Sequence, residues 1–149
     1  MAVALPSGIA ATNVAGGAYH TLAIGNTGQV FAWGHNGYGQ LGNASASNSA
    51  SPVPVALPEG LSFVAITAGY YHSAALASDG QVYTWGHNAH GQLGNGSTDD
   101  SATPMAITLA PGVIATAIAA GYYHTVAHGS DGKIYTWGLT GTAETTELR

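Results

Sequence analysis

Three histidines and three tryptophans are the residues best placed to do chemistry in this chain. His20, His72 and His124 stand 52 residues apart, and so do Trp33, Trp85 and Trp137. Neutral imidazoles are common metal ligands, and indole faces can stack on sugars or bases. Repetition at one fixed place argues for a structural task instead. A histidine that recurs once per unit is expected to hydrogen-bond its own unit. Imidazoles on separate units also lie too far apart to share an ion unless they meet on an axis. Each tryptophan follows an alternating strand pattern and is expected to pack between units. No metal and no cofactor is therefore expected.

The loops that follow the tryptophans offer more variable groups. His35-Asn36-Gly37-Tyr38 and His87-Asn88-Ala89-His90 differ at their third and fourth positions. Variable aromatic positions on loops are where such scaffolds hold ligands, so Tyr38, His35, His87 and His90 are the candidate binding residues. Tyr70, Tyr71, Tyr122 and Tyr123 precede a strand and could face either the rim or the centre. His128 stands alone at a position occupied by Ile24 and Leu76 in the other units. Asn43-Ala44-Ser45 and Asn95-Gly96-Ser97 fit the glycosylation acceptor pattern, but turn chemistry demands the same residues. The carboxylates form no strand-borne acid pair: Asp79 and Asp131 sit in turns, the rest in loops or the tail. With no cysteine nucleophile either, the chain is not expected to be an enzyme.

The elements that position these groups repeat with the same period. Gly39-Gln40-Leu41-Gly42-Asn43 recurs as Gly91-Gln92-Leu93-Gly94-Asn95, and Val3-Ala4-Leu5-Pro6 recurs intact as Val55-Ala56-Leu57-Pro58. In the middle unit, Leu61–Ile66 is an apolar run of strand length and His72–Leu76 a second strand. Asp79-Gly80 then marks a hairpin, because glycine accepts positive φ. Gln81–Trp85 alternates with period two, as does Thr103–Leu109. Pro52 and Pro54 put the last strand on a sheet edge. Inner strands, apolar on both faces and so expected to be buried between neighbouring sheets, are placed near Val14, Ile66 and Ile118, outer ones near Val3, Val55 and Ile107. The fold class is all-β: a β-propeller of four-stranded antiparallel blades. Residues 1–7 form an orphan outer strand. Blades occupy 8–59 and 60–111, and a third, at 112–138, lacks its outer strand. Residues 139–149 are a non-repeat tail.

Ala68-Gly69-Tyr70-Tyr71-His72-Ser73, continued by Gly80–Gly86 and His87–Gly96, resembles the repeat of the regulator of chromosome condensation family. The resemblance covers about Met1–Gly138. It implies blades of a propeller that normally has about seven, of which this chain holds fewer than three complete ones. For one branch it also implies guanine-nucleotide exchange on a small GTPase. The unbroken 52-residue period leaves no room for a partner-wedging insertion.

Composition narrows the partners. Lys133 and Arg149 are the only basic residues against seven carboxylates, and charged residues make up 6%, where about 25% is usual. Phosphate backbones and anionic membranes need a basic patch, so neither is an expected partner. The expected function is a non-catalytic interaction or structural module. The alternatives are a carbohydrate-binding lectin and an exchange-factor fragment. Three blades do not close a ring, so the expected partner is the chain itself. In a head-to-tail dimer of six blades, with a trimer as the alternative, Val3, Ala4 and Leu5 would complete a second copy's third blade beyond Trp137. A protein or glycan ligand is a further possible partner. Duplex DNA titrated at physiological salt should show no binding at micromolar concentration; saturation there would contradict the charge argument.

Overall fold

The computed structural model describes residues 1–139 and 144–145. Each repeat becomes one antiparallel sheet whose strands pair in chain order. The first sheet holds β1 (Ala11–Gly16), β2 (His20–Gly25), β3 (Val30–Gly34) and β4 (Ser49–Pro54). The second holds β5 (Phe63–Ala68), β6 (His72–Ala77), β7 (Val82–Gly86) and β8 (Ser101–Ile107). The third holds β9 (Ala115–Ala120), β10 (His124–Gly129), β11 (Ile134–Leu139) and the short β12 (Glu144–Thr145). This is the all-β, four-stranded blade architecture expected from the repeat, with no helix among the described residues.

Local chemistry sets the hairpins. Gly28, Gly80 and Gly132 turn with φ of 83°, 87° and 80°, a region closed to most side chains. Asp79 and Asp131 brace two of these turns by accepting from the backbone N–H two residues on, at 3.0 Å each. The registers that follow are equivalent: Ile24 opposite Val30, Leu76 opposite Val82, His128 opposite Ile134.

Four expectations need correction. The innermost strands are not the buried ones. β1 is exposed along most of its length, whereas every residue of β6 is buried. An innermost strand has a free edge towards the centre, so the second strand is the one enclosed on both faces and both edges. The outer strand of the first blade ends at Pro54 instead of centring on Val55, which makes only a single ladder-like bond, its N–H to Val30 O at 3.0 Å. Residues 1–5 form no strand, and Val3 is 47% exposed. The outer position of the third blade, expected to be vacant, is met by two tail residues: Thr145 pairs with Gly138 and Glu144 with Leu139.

The apolar core lies between sheets. Leu22, Ile24, Val30, Ala32 and Leu41 of the first blade pack against Phe63, Ala75, Ala77 and Trp85 of the second. Leu76, Val82 and Ile107 of the second meet Ala115, Ala127, Tyr135 and Trp137 of the third. Trp85 and Trp137 are fully buried. Trp33, expected to be equally buried, is only half-buried, because no blade stands before it among the described residues. Trp85→Ala should therefore cost about 3–5 kcal/mol, as for emptying a large aromatic site. Trp33→Ala should cost about half of that or less, in proportion to the area it hides. Urea denaturation of the two variants checks the order; equal losses would refute it.

Candidate functional site

The seam between blades is built from the signature residues. His20 Nε2 lies 2.9 Å from Ser73 Oγ, and His72 Nε2 lies 2.9 Å from Thr125 Oγ1. Each hydroxyl in turn donates back to the blade that carries the histidine. Ser73 donates to Gln40 O at 2.9 Å, and Thr125 to Gln92 O at 2.8 Å. A hydroxyl has one proton to give, so each imidazole must supply its own through Nε2–H. The histidines therefore bond the next blade and not their own, contrary to the expectation above. Trp85 Nε1 donates to the same Gln40 carbonyl at 2.9 Å, while Trp137 Nε1 is buried without a partner. The two ring Nδ1 atoms of His20 and His72 are likewise buried and unpaired. His124 is half-buried, with no following blade to meet among the described residues.

The motif glycines fit this seam. A Cβ on Gly69 would clash with Cε1 and Nδ1 of His72, so the histidine ring can approach this backbone only where no side chain intervenes. Gly42 holds φ at 68°, and a Cβ there would come 2.7 Å from Trp85 Nε1.

Buried amides shape the loops beyond. Asn36 accepts from Leu41 N–H at 2.9 Å and donates to Ser45 O at 2.8 Å and Ser47 O at 3.0 Å. Asn88 repeats the pattern with Leu93, Ser97 and Asp99. Gln40 accepts from Tyr38 N–H at 2.9 Å and donates to His35 Nδ1 at 2.7 Å. Gln92 does the same for His90 and His87. Asn36, Gln40, Asn88 and Gln92 are all fully buried. Reading the sequence singled out the variable residues and passed over these four, whose signal was their identity in both copies. Asn43 and Asn95, the glycosylation candidates, accept from Asn36 and Asn88 and so take part in these loops.

On this scaffold the loop residues join one aromatic band. Tyr38, on the first blade's loop, reaches over the second blade to Tyr71 (ring centroids 4.8 Å apart) and His87 (4.5 Å). His90, its counterpart, lies 4.9 Å from Tyr123 of the third blade. Tyr19 stacks on Tyr71 at 5.8 Å, and Tyr70 on Tyr123 at 5.7 Å. Tyr70, Tyr122 and Tyr19 border a groove of about 490 Å³ at the C-terminal ends of the innermost strands. The tyrosines thus gather towards the centre and not the rim. Tyr19 and Tyr122 are 58% and 70% exposed. Tyr70's hydroxyl is held above the usual phenol range, first by neighbouring Tyr19, and Tyr71's by partial desolvation. Both are therefore neutral at physiological pH. The candidate residues His35, Tyr38, His87 and His90 all fall within or beside this band. His128 lies apart, with Nδ1 2.7 Å from Thr116 Oγ1. Among the described residues no cluster of His, Cys, Asp or Glu could hold a metal ion.

A family model described as the regulator of chromosome condensation (RCC1) repeat matches residues 27–76 and 79–128, and a second model of that repeat matches 11–40 and 63–92. Ultraviolet-B receptor UVR8 of Arabidopsis thaliana is 38% identical over 123 residues, covering 82% of this chain and 28% of the receptor. Probable E3 ubiquitin-protein ligase HERC3 of Homo sapiens is 39% identical over 132 residues, covering 88% of this chain and 13% of the ligase. The chain thus spans well under a third of either relative. Among solved structures, human WBSCR16 superposes with a TM-score of 0.82 at 22% identity, over 96% of this chain and 40% of that one. Prp20p from Saccharomyces cerevisiae gives 0.81 at 24% identity, over 93% and 37%.

The buried seam makes stability depend on acid. Desolvation pushes the imidazole of His20 down to about 4 and that of His72 down to about 3. An unfolded chain titrates these groups near 6.5. Between that value and the folded ones, the unfolded state binds more protons, so stability falls as pH falls. Above about 6.5 both states are neutral and the contribution is constant. Denaturant titrations at pH 7.5 and 5.0 should differ by on the order of 2–4 kcal/mol. In His72→Gln the difference should shrink.

Proposed function

From the premise that the chain belongs to the regulator of chromosome condensation (RCC1) repeat family, we propose that it is a non-catalytic interaction module. Its binding surface would be the aromatic band. The observation that carries this is that Tyr38 and His90 project from buried-amide loops onto the neighbouring blade's tyrosines. Rigid aromatic side chains supply large contact area at low entropic cost. Backbone segments and side chains of a protein partner suit the groove beside them. Relatives of the fold include Prp20p, studied for binding Gsp1p and histones, which supports a protein as the partner class. The alternative drawn from the same kinship is exchange activity on a small GTPase. A lectin is the second reading favoured by the site itself, because exposed tyrosine faces also stack on sugar rings.

The module would work as part of a ring, in which the domain division at about 8–59, 60–111 and 112–138 gives the blades. Thr21 of the first blade and His124 of the third occupy the two halves of a seam and face no further blade among the described residues. A second copy, head to tail, supplies each with its complement and gives six blades, within the four to eight of known propellers.

A peptide array and a glycan array, probed with the chain and with the Tyr38→Ala/His90→Ala variant, test the reading. Peptide binding weakened at least about tenfold with an unchanged melting temperature is the expected result. Glycan binding lost in the variant would replace it with the lectin. Accelerated release of a fluorescent nucleotide from a small GTPase would replace it with exchange. Peptide binding indifferent to the variant would remove the aromatic band from the site.

A further inference from the structure

At the end of the strands opposite the tyrosine band, the seam between the first and second blades holds a cavity of about 310 Å³. Val30 opens β3 and Phe63 lies at the start of β5, whereas Tyr70 and Tyr71 follow the far end of β5. Of the cavity's lining, Val30, Val55 and Phe63 are buried, and Leu57 and Leu61 are half-buried. Glu59 supplies the only charge in the lining and Gln29 the only side-chain amide, and both are exposed. The buried apolar residues therefore form the floor, and the two polar groups mark the mouth.

The second seam is braced at the same corner. Gln81, the counterpart of Gln29, donates through Nε2 to Ile107 O at 2.7 Å and to Val82 O at 3.1 Å. Ala110 and Val113 bridge the linker that follows, with Val113 N–H donating to Ala110 O at 3.1 Å. The first seam has neither brace. Pro58 stands in the place of Ala110 and has no N–H to complete a bridge. Val55 O, the counterpart of Ile107 O, takes Leu57 N–H at 2.8 Å. The Gln29 amide makes no hydrogen bond among the described residues. Both sheets of this seam lie wholly within the described residues.

We propose that this cavity binds a small primary alkylamine, with its apolar chain inward against Val30, Val55 and Phe63 and its ammonium at the mouth beside Glu59. The ammonium N–H groups donate to the Glu59 carboxylate, and the Gln29 carbonyl offers a second acceptor. Glu59 has no ion pair among the described residues. The chain's two bases, Lys133 and Arg149, are not part of the lining, so the cation comes from the ligand. Small-molecule sites are mostly apolar cavities of about 300–1,000 Å³ with a few placed polar groups. This one is at the small end, which suits a single chain of roughly four to six carbons. A lysine side chain carries its ammonium at the tip and would bury the charge ahead of its methylenes, at high cost. A free amine enters the other way round. The site is independent of the aromatic band, so its failure would leave the interaction reading untouched.

Titration at pH 7.5 followed by methyl NMR tests this. With n-butylamine or n-hexylamine, the methyl signals of Val30, Val55, Leu57 and Leu61 should shift. Those of Val82, Ile107, Leu109 and Val113 at the second seam should not. Each buried methylene is worth about fourfold in affinity, so n-hexylamine should bind about fifteenfold tighter than n-butylamine. Hexanol should bind more weakly than hexylamine, and hexanoate more weakly still. Glu59→Gln, an exposed change, should weaken hexylamine about three- to fivefold and leave hexanol unchanged. Nα-acetyl-lysine amide should shift none of these signals. Hexanoate binding as tightly as hexylamine, or an amine indifferent to Glu59→Gln, overturns the proposal. Equal shifts at both seams overturn it by showing apolar adsorption without a site. First-seam shifts with the lysine amide overturn it in favour of a protein side chain, and no shift with millimolar hexylamine leaves no site at all.

Discussion

The structure depends on a buried neutral imidazole that finds its hydrogen-bond partner only on the next blade. His20 and His72 sit where charge is excluded, and their Nε2 protons go to Ser73 and Thr125. Those hydroxyls return to Gln40 and Gln92. A buried polar group without such a partner costs on the order of 1–3 kcal/mol, so the neighbouring blade can cover the imidazole only if it also meets the Nε2 proton with a hydroxyl. The apolar core obeys the same rule, since Leu22 and Ile24 are covered by Phe63 and Trp85 of the neighbour. Stability resides at the seams, and the sheets are the surfaces that bear them.

That constraint accounts for much of the repeat's invariance. Gly69 is a glycine because the His72 ring occupies the space of its missing side chain, and Gly42 because Trp85 crowds it. Ser73 and Thr125 differ only by a methyl group at the one place where a hydroxyl is needed. The fixed 52-residue period keeps histidine, hydroxyl and glutamine in phase from blade to blade. Where no neighbour stands among the described residues the rule relaxes visibly: Trp33 and His124 are half-buried. His128 replaces the buried Ile24 and Leu76 on the last face.

Much of the fold was legible because the hairpins are encoded locally. Asp79-Gly80 and Asp131-Gly132 specify their turns within four residues, and alternation marks the strands between them. What was hidden is relational. No pattern within one unit says that His20 bonds Ser73, because the partner lies 53 positions away. The exposure of the inner strands was missed for a similar reason: Leu61–Ile66 is apolar, but a free edge at the centre leaves β5 only partly covered. Of the candidate site, Tyr38, His35, His87 and His90 could be picked out by their variation. Their convergence with Tyr19, Tyr71 and Tyr123 could not, because it comes from the rotation of one blade relative to the next. The four buried amides were overlooked because Asn and Gln in a Gly-rich loop look like solvent-facing polarity.

Those amides have an evolutionary consequence. Asn36 and Gln40 fasten the loop through main-chain N–H and C=O groups, so the side chain at position 38 contributes nothing to the loop's shape. The second copy demonstrates this: histidine stands at 90, and the backbone bond to Gln92 keeps its 2.9 Å length. A lineage can therefore exchange the displayed residue at little structural cost, one blade at a time. Such a scaffold separates inheritance of shape from inheritance of specificity, and its recognition surface can drift or diversify while its architecture stays put.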